Sequence, residues 1–213
     1  MTATDWSLYL VTDPDLAGGR EHVSEIAVAA CRGGATVVQL RDKDASSAEL
    51  LPYARSLKEQ LGQIPLFIND RVDLAADLGG HLHVGQDDLS VAEARPRLAE
   101  GALVGLSVGD EEELDAALNA TGAARPDVIG IGPVFSTATK ANVPEGIGVE
   151  AAATLASRAA EAGMPAVAIG GLKTHNVGEL QGSDFAGVCV VSAIMAAEDP
   201  ATAAAELLAA FRG

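Results

Sequence analysis

The chain has 213 residues, 48% hydrophobic and 21% charged, a balance that fits one folded domain and excludes a disordered chain. Its net charge of −16 argues against a nucleic-acid partner, which needs a basic patch to neutralise phosphates. No apolar stretch approaches the roughly 20 residues of a membrane span, and the first ten residues hold Asp5 and no basic residue, so neither a membrane partner nor a leader is expected and the protein reads as cytoplasmic.

Short apolar runs alternate with segments of helical periodicity. Ser7 to Thr12 is the first run, followed by a helical stretch from about Glu21 to Arg32, with Gly33-Gly34 as its stop. The second run, Thr36 to Arg41, precedes a helix opened by Ser46 with Glu49 three residues on, the pattern of a capping box. That helix ends at Leu61-Gly62, and the third run, Ile64 to Asn69, leads into a short helix from Val72 to Leu78. The fourth run, His81 to Val84, predicts a helix from Ser90 to Glu100 after it. The fifth, Ala102 to Ser107, is followed by an acidic helix start at Asp110. A sixth run from Asp127 to Gly132 gives way to a Gly/Pro/Thr-rich loop and a helix from Val149 to Ala162. Ala166 to Ile169 with a helix over Thr174 to Leu180, and Phe185 to Val191 with a helix from Pro200 to Phe211, complete the chain.

Continuous Val/Ile/Leu runs imply strands buried on both faces, hence a parallel sheet. Eight strand-helix units in one chain predict an α/β protein, a single (β/α)8 TIM barrel spanning 1–213. An open doubly wound sheet is the alternative, but no GxGxxG follows the first strand.

A barrel of this kind carries its function at the C-terminal ends of its strands. Strand two ends Gln39-Leu40-Arg41-Asp42-Lys43. If the chain stays extended, Gln39, Arg41 and Lys43 share one face and suit an anionic ligand. Arg41 has Asp42, Asp44 and Asp70 as alternative ion-pair partners. Strand three ends at Asn69-Asp70, and strand four leads into Gln86-Asp87-Asp88. Asp70 and Asp88 read either as a magnesium-type carboxylate pair or as caps of the helices that follow. His81 and His83 lie on one face of a strand, which suits structural roles or, less simply, zinc. Ser107 ends strand five with no His-Asp pattern to make it a nucleophile. The loop from Gly132 through Thr137, Thr139 and Lys140 to Gly146 reads as a lid or as plain surface loop. Gly170-Gly171 and Ser192 suit a single phosphate, the glycines otherwise being only a turn. Only four lysines occur, and Lys43, Lys140 and Lys173 fall in loops after strands. Cys31 and Cys189 lie in apolar contexts without metal spacing and read as small hydrophobes of a reducing compartment, with a disulfide or a reactive thiol as alternatives.

The pieces QLRDK at 39–43, IND at 68–70, HVGQDDL at 83–89, GLS at 105–107, GPVFSTATK at 132–140, IGG at 169–171 and VSAI at 191–194 together resemble the thiamine phosphate synthase family. The resemblance runs from Tyr9 to Ile194 and implies a transferase with two small-molecule substrates, a pyrimidine diphosphate and a thiazole phosphate. By the same resemblance Gln39, Arg41, Lys43, Asn69 and Lys140 hold the diphosphate, and Asp70 and Asp88 bind Mg2+. Ser107 lies near the pyrimidine, while Thr137, Thr139, Gly171, Val191 and Ser192 form the thiazole phosphate site. Arg41, Ser107 and Lys140 are the residues implied for catalysis, through a dissociative loss of pyrophosphate. Gly109 departs from the pattern, since relatives often carry histidine there. A thiazole tautomerase-like relative or a non-catalytic phosphate-ligand sensor are the competing readings. The sequence leaves open whether copies associate into a homo-oligomer.

Overall fold

The computed structural model describes residues 4–137 and 145–213. Eight parallel strands close into a barrel in chain order. They are β1 (Leu8–Val11), β2 (Val37–Leu40), β3 (Leu66–Asn69), β4 (His81–Val84), β5 (Val104–Val108), β6 (Val128–Ile131), β7 (Ala166–Ile169) and β8 (Gly187–Val190). Closure comes from β8 pairing with β1, where Tyr9 registers with Cys189 on one side and with Val37 on the other.

Period-two alternation sorts the side chains of each strand. Leu8, Leu10, Val38, Leu40, Leu66, Ile68, Leu82 and Val84 face outward into the main core beneath the helices. Trp6, Tyr9, Val11, Val37, Phe67, Val128, Val167 and Cys189 fill the lumen. The aromatic rings interlock there, with Phe67 centred 5.5 Å from Tyr9, 5.9 Å from Trp6 and 5.0 Å from His81. The lumen is a packed core, so the open end of the barrel is the place left for a ligand.

The helices are α1 (Arg20–Arg32), α2 (Ser47–Leu61), α3 (Val72–Leu78), α4 (Val91–Ala94), α5 (Glu111–Asn119), α6 (Val149–Glu161), α7 (Ser192–Met195) and α8 (Pro200–Arg212). Ser46 and Glu49 form the expected capping box, and Asp110 caps α5 by accepting from the Glu113 amide. Lys58 donates from Nζ to the carbonyls of Leu78 and Gly79, closing the C-terminal end of α3. Three expectations change. The helix predicted over 90–100 is one α-helical turn followed by a 3-10 turn, Arg95–Arg97, because Pro96 brings no amide to continue the ladder. The one predicted over 174–180 is only the 3-10 turn Val177–Leu180. The short α7 directly after β8 was not expected. Among the described residues no helix is long and apolar enough to cross a membrane.

Phe67 is fully buried. Phe67→Ala is expected to cost about 3–5 kcal/mol in urea denaturation, since the ring of partners around it cannot collapse into the void. A loss below about 1 kcal/mol would mean the lumen repacks freely.

Candidate active site

At the rim beyond β2, Arg41 donates from Nη1 to the Asp13 carboxylate at 3.2 Å. Asp13 follows β1, and neither Asp42, Asp44 nor Asp70 is the ion-pair partner found. Asp42 turns away from the mouth and is buried, accepting from Arg20 Nε at 2.6 Å and from the amides of Asp44 and Ala45. Burial alone would raise the Asp42 pKa, but these donors outweigh it and hold the group below the usual carboxylate range. The Arg41 amide is fixed by Thr12 Oγ1, and Arg71 donates to the carbonyls of Asp42 and Lys43. The backbone is therefore pinned on both sides of Arg41. Gln39 lies buried in the lumen, donating to the Tyr9 hydroxyl at 2.9 Å, while Lys43 is exposed beyond the end of β2, so the three do not form one extended row.

Asp70 directly follows β3 with φ at 59°, a left-handed conformation unusual for a residue with a side chain. Its backbone amide donates to the His83 carbonyl at 2.8 Å, and Asn69 donates from Nδ2 to its carboxylate. Helix capping explains neither Asp70 nor Asp88. The N-cap of α3 is Arg71, and α4 is capped by Ser90 in a capping box with Glu93. Asp88 instead accepts from the Gly85 amide at 2.8 Å, which folds the loop after β4 back over the rim. Partial burial and then the neighbouring Asp88 charge push the Asp70 pKa up to about 6, against the opposing pull of Asn69 and Arg41.

The inward rows of β4 and β5 meet at the floor of the mouth, where His83 Nε2 lies 3.1 Å from Ser107 Oγ. Glycines make room for this ring. A Cβ on Gly105 would sit 2.4 Å from His83 Nδ1, and one on Gly130 would sit 3.6 Å from Cε1. Gln86 donates to the Ser107 carbonyl at 2.6 Å. His81, one layer down, accepts from the Leu103 amide at 3.0 Å, which is a structural role. Among the described residues no group of three His, Cys, Asp or Glu side chains gathers into a metal site, zinc included. At Gly109 the amide donates to Glu113 Oε2 at 2.6 Å, and an added Cβ would make only ordinary contacts.

The opposite rim is built largely from backbone. Val134 and Phe135 donate to the carbonyls of Ile169 and Gly170, so the loop after β6 runs alongside the end of β7. Gly170 and Gly171 adopt φ of 101° and 67°, and a Cβ on either would come within 2.7 Å of Pro133 or Phe135. Thr137 is half-buried, and Val191 and Ser192 follow β8 and open α7. Thr139 and Lys140 lie outside the described residues. Sequence reasoning found most of the residues at this mouth but missed Asp13, Gln86 and the placement of His83 beside Ser107. Partners of this kind come from neighbouring strands and leave no local spacing to read.

The closed parallel barrel with its surrounding helices makes this a (β/α)8 barrel protein, with its candidate site at the C-terminal mouth of the strands. A family model described as thiamine monophosphate synthase matches residues 8–194. The chain is 46% identical to the thiamine biosynthesis multifunctional protein ThiED of Corynebacterium efficiens over 96% of its own length and 28% of that protein's. It is also 46% identical to the thiamine-phosphate synthase of Xanthobacter autotrophicus, over 97% of this chain and 95% of that one. The solved thiamine phosphate pyrophosphorylase from Pyrococcus furiosus superimposes with a TM-score of 0.84 at 29% identity, covering 98% of this chain and 96% of that one. The chain belongs to the thiamine monophosphate synthase family. It spans 28% of the length of each of two multifunctional relatives that it matches.

Because the folded-state pKa of Asp70 is raised, its contribution to stability is present below about pH 4 and is lost as pH rises through about 6. Asp70→Asn removes that ionisation. In EDTA, calorimetry is expected to give the variant a higher Tm than the parent at about pH 8 and an equal one at about pH 4. Equal melting at both pH values would show that the two carboxylates do not oppose each other.

Proposed function

We propose that this chain is a thiamine phosphate synthase, a transferase of thiamine biosynthesis. It joins 4-amino-5-hydroxymethyl-2-methylpyrimidine diphosphate to 4-methyl-5-(2-hydroxyethyl)thiazole phosphate and releases pyrophosphate with Mg2+. The observation that carries this reading is the Asp70 and Asp88 pair at the rim with Arg41 beside it, in a chain 46% identical to a named synthase over nearly its whole length. Two hard-oxygen carboxylates fit Mg2+, which takes few protein ligands and keeps positions for water and phosphate oxygens. Burial first, and then the neighbouring Asp88 charge, raise the Asp70 pKa, so a cation at the pair would favour the ionised form. When bound, the ion supplies positive charge to the diphosphate.

This chain's own residues do the rest. Arg41, aimed by Asp13, and Lys43 add charge for the departing pyrophosphate, and Lys140 joins them by resemblance. The bond between the pyrimidine methylene and the diphosphate oxygen breaks first, and its electron pair leaves with pyrophosphate. The thiazole nitrogen then donates its pair to the methylene carbon. No protein nucleophile enters a covalent bond. Ser107, fixed by His83 and Gln86, offers its hydroxyl to the pyrimidine, with Gln39 and Asn69 nearby on the inward rows. Thr137, Thr139, Gly171, Val191 and Ser192 receive the thiazole phosphate. By resemblance, a loop over 135–146, of which residues 138–144 lie outside the described residues, would exclude water that could otherwise capture the cation. The free thiols Cys31 and Cys189 suit a reducing cytoplasm.

Mixing the protein with both substrates and Mg2+ is expected to yield thiamine phosphate by mass, and EDTA to abolish it. Asp88→Asn keeps an oxygen for the Gly85 amide and is expected to lower kcat/KM by about 100-fold or more, partly recovered at high Mg2+. Binding of thiazole phosphate without any product would instead move the chain to the tautomerase-like or sensor class.

A further inference from the structure

Lys173 is a cation that the proposed reaction has not yet used. It follows the Gly170-Gly171 turn, and its Nζ donates to Ser192 Oγ at 2.8 Å. Several other cations are committed elsewhere: Arg20, Arg41, Arg95 and Arg158 have carboxylate partners, and Lys58 has two carbonyls. Lys173 has a hydroxyl, and among the described residues no carboxylate pairs with its charge. An ammonium carries three donor hydrogens, and one hydroxyl uses only one of them. The lysine lines a cleft of about 410 Å3 together with Thr174, His175, Ser192 and the start of α7. No carboxylate lines that cleft among the described residues, although the chain has 30 Asp and Glu.

The lysine is also held in place. Asn176 accepts from the Lys173 amide through Oδ1 at 2.7 Å and donates through Nδ2 to the Gly171 carbonyl at 3.0 Å. One side chain therefore clasps both ends of the segment that carries the glycine turn and the ammonium. The clasp also explains why the predicted helix starts late: the amide of Lys173 and the side chain of Asn176 are spent on the turn.

We infer that Lys173 is a phosphate ligand of this barrel, acting with Ser192 on the monophosphate of the thiazole substrate and selecting it over the unphosphorylated thiazole alcohol. This rests on the synthase reading for the name of the ligand, but not for the chemistry of the cleft. On a protein with net charge −16 an incoming phosphate meets a repulsive field, and a fixed ammonium at the subsite offsets it locally.

The test compares wild type, Lys173→Met, Lys173→Arg and Ser192→Ala in two measurements. Calorimetric titration with inorganic phosphate, with pyrophosphate and Mg2+ occupying the diphosphate side, reads the cleft, and steady-state kinetics with each substrate varied in turn reads the reaction. Lys173→Met is expected to weaken phosphate binding and raise KM for the thiazole phosphate by about 10- to 100-fold, the size of a lost charge-assisted hydrogen bond. KM for the pyrimidine diphosphate and the rate with the thiazole alcohol should stay within about two-fold, and Lys173→Arg should recover most of the loss. Phosphate binding unchanged in Lys173→Met overturns the inference, as does a loss in Ser192→Ala that accounts for all of it. If wild type makes no thiamine phosphate but Lys173→Met still loses phosphate binding, the synthase reading falls and the lysine's role stands. If wild type is active and Lys173→Met binds phosphate normally, the reverse holds.

Discussion

The pairing of β8 onto β1 is the constraint on which the mouth depends. Once the sheet is closed, every strand has two buried faces, and alternation alone decides which side chains enter the lumen. The lower layers are filled by Trp6, Tyr9, Phe67 and Val128. Toward the C-terminal ends the same inward rows carry Gln39, Asn69, His83 and Ser107. Polar groups at such positions need partners. Gln39 finds the Tyr9 hydroxyl and His83 finds Ser107. The lumen thus grades from dry packing to a hydrogen-bonding floor within one strand length, and that floor is what a ligand entering the mouth would meet.

The acidity of the chain is handled by the same architecture. A carboxylate at the mouth opposes an anionic ligand unless it is paired or serves a cation. Asp42 is withdrawn and neutralised by Arg20 and two amides. Asp13 is spent on aiming Arg41. Asp70 and Asp88 remain close enough to oppose each other, with Arg41 as the nearby positive charge acting on Asp70. Packing and charge act together here: the carboxylate pair is costly to the fold when both groups are ionised, and in the proposed reaction a divalent cation would offset that cost.

Much of the fold could be read from the sequence because strand burial and helix caps are local signals. The β4 run His81 to Val84, the β7 run Ala166 to Ile169 and the Ser46 capping box emerge as read. Helices at 90–100 and 174–180 were overcalled because Pro96 and the Asn176 clasp act against the helical ladder. Of the candidate site, Arg41, Asp70, Asp88, Ser107 and Gly171 stand at one mouth as strand-end position requires. Which atom each one touches was not legible, since Arg41 with Asp13 and His83 with Ser107 are pairings between strands, 28 and 24 residues apart. The left-handed Asp70 was equally hidden, because aspartate itself carries no mark of φ.

The two sides of the mouth are built by different means, and the difference follows from geometry. Side chains at and beyond the ends of β2, β3 and β4 supply charges, with Arg41, Asp70 and Asp88 each backed by a named partner. On the far side, the loop after β6 lies directly against Gly170 and Gly171, where even a methyl group would come within 2.7 Å of Pro133 or Phe135. The base of that loop and the glycine turn therefore move together or not at all. Asn176 extends the same unit to Lys173, and Lys173 extends it to Ser192. In the proposed reaction a phosphate seated on this unit would be felt at the root of the loop that must exclude water, while the diphosphate is held by the other side. Seating the nucleophile and shielding the cation would then be one event, carried by one contiguous piece of backbone.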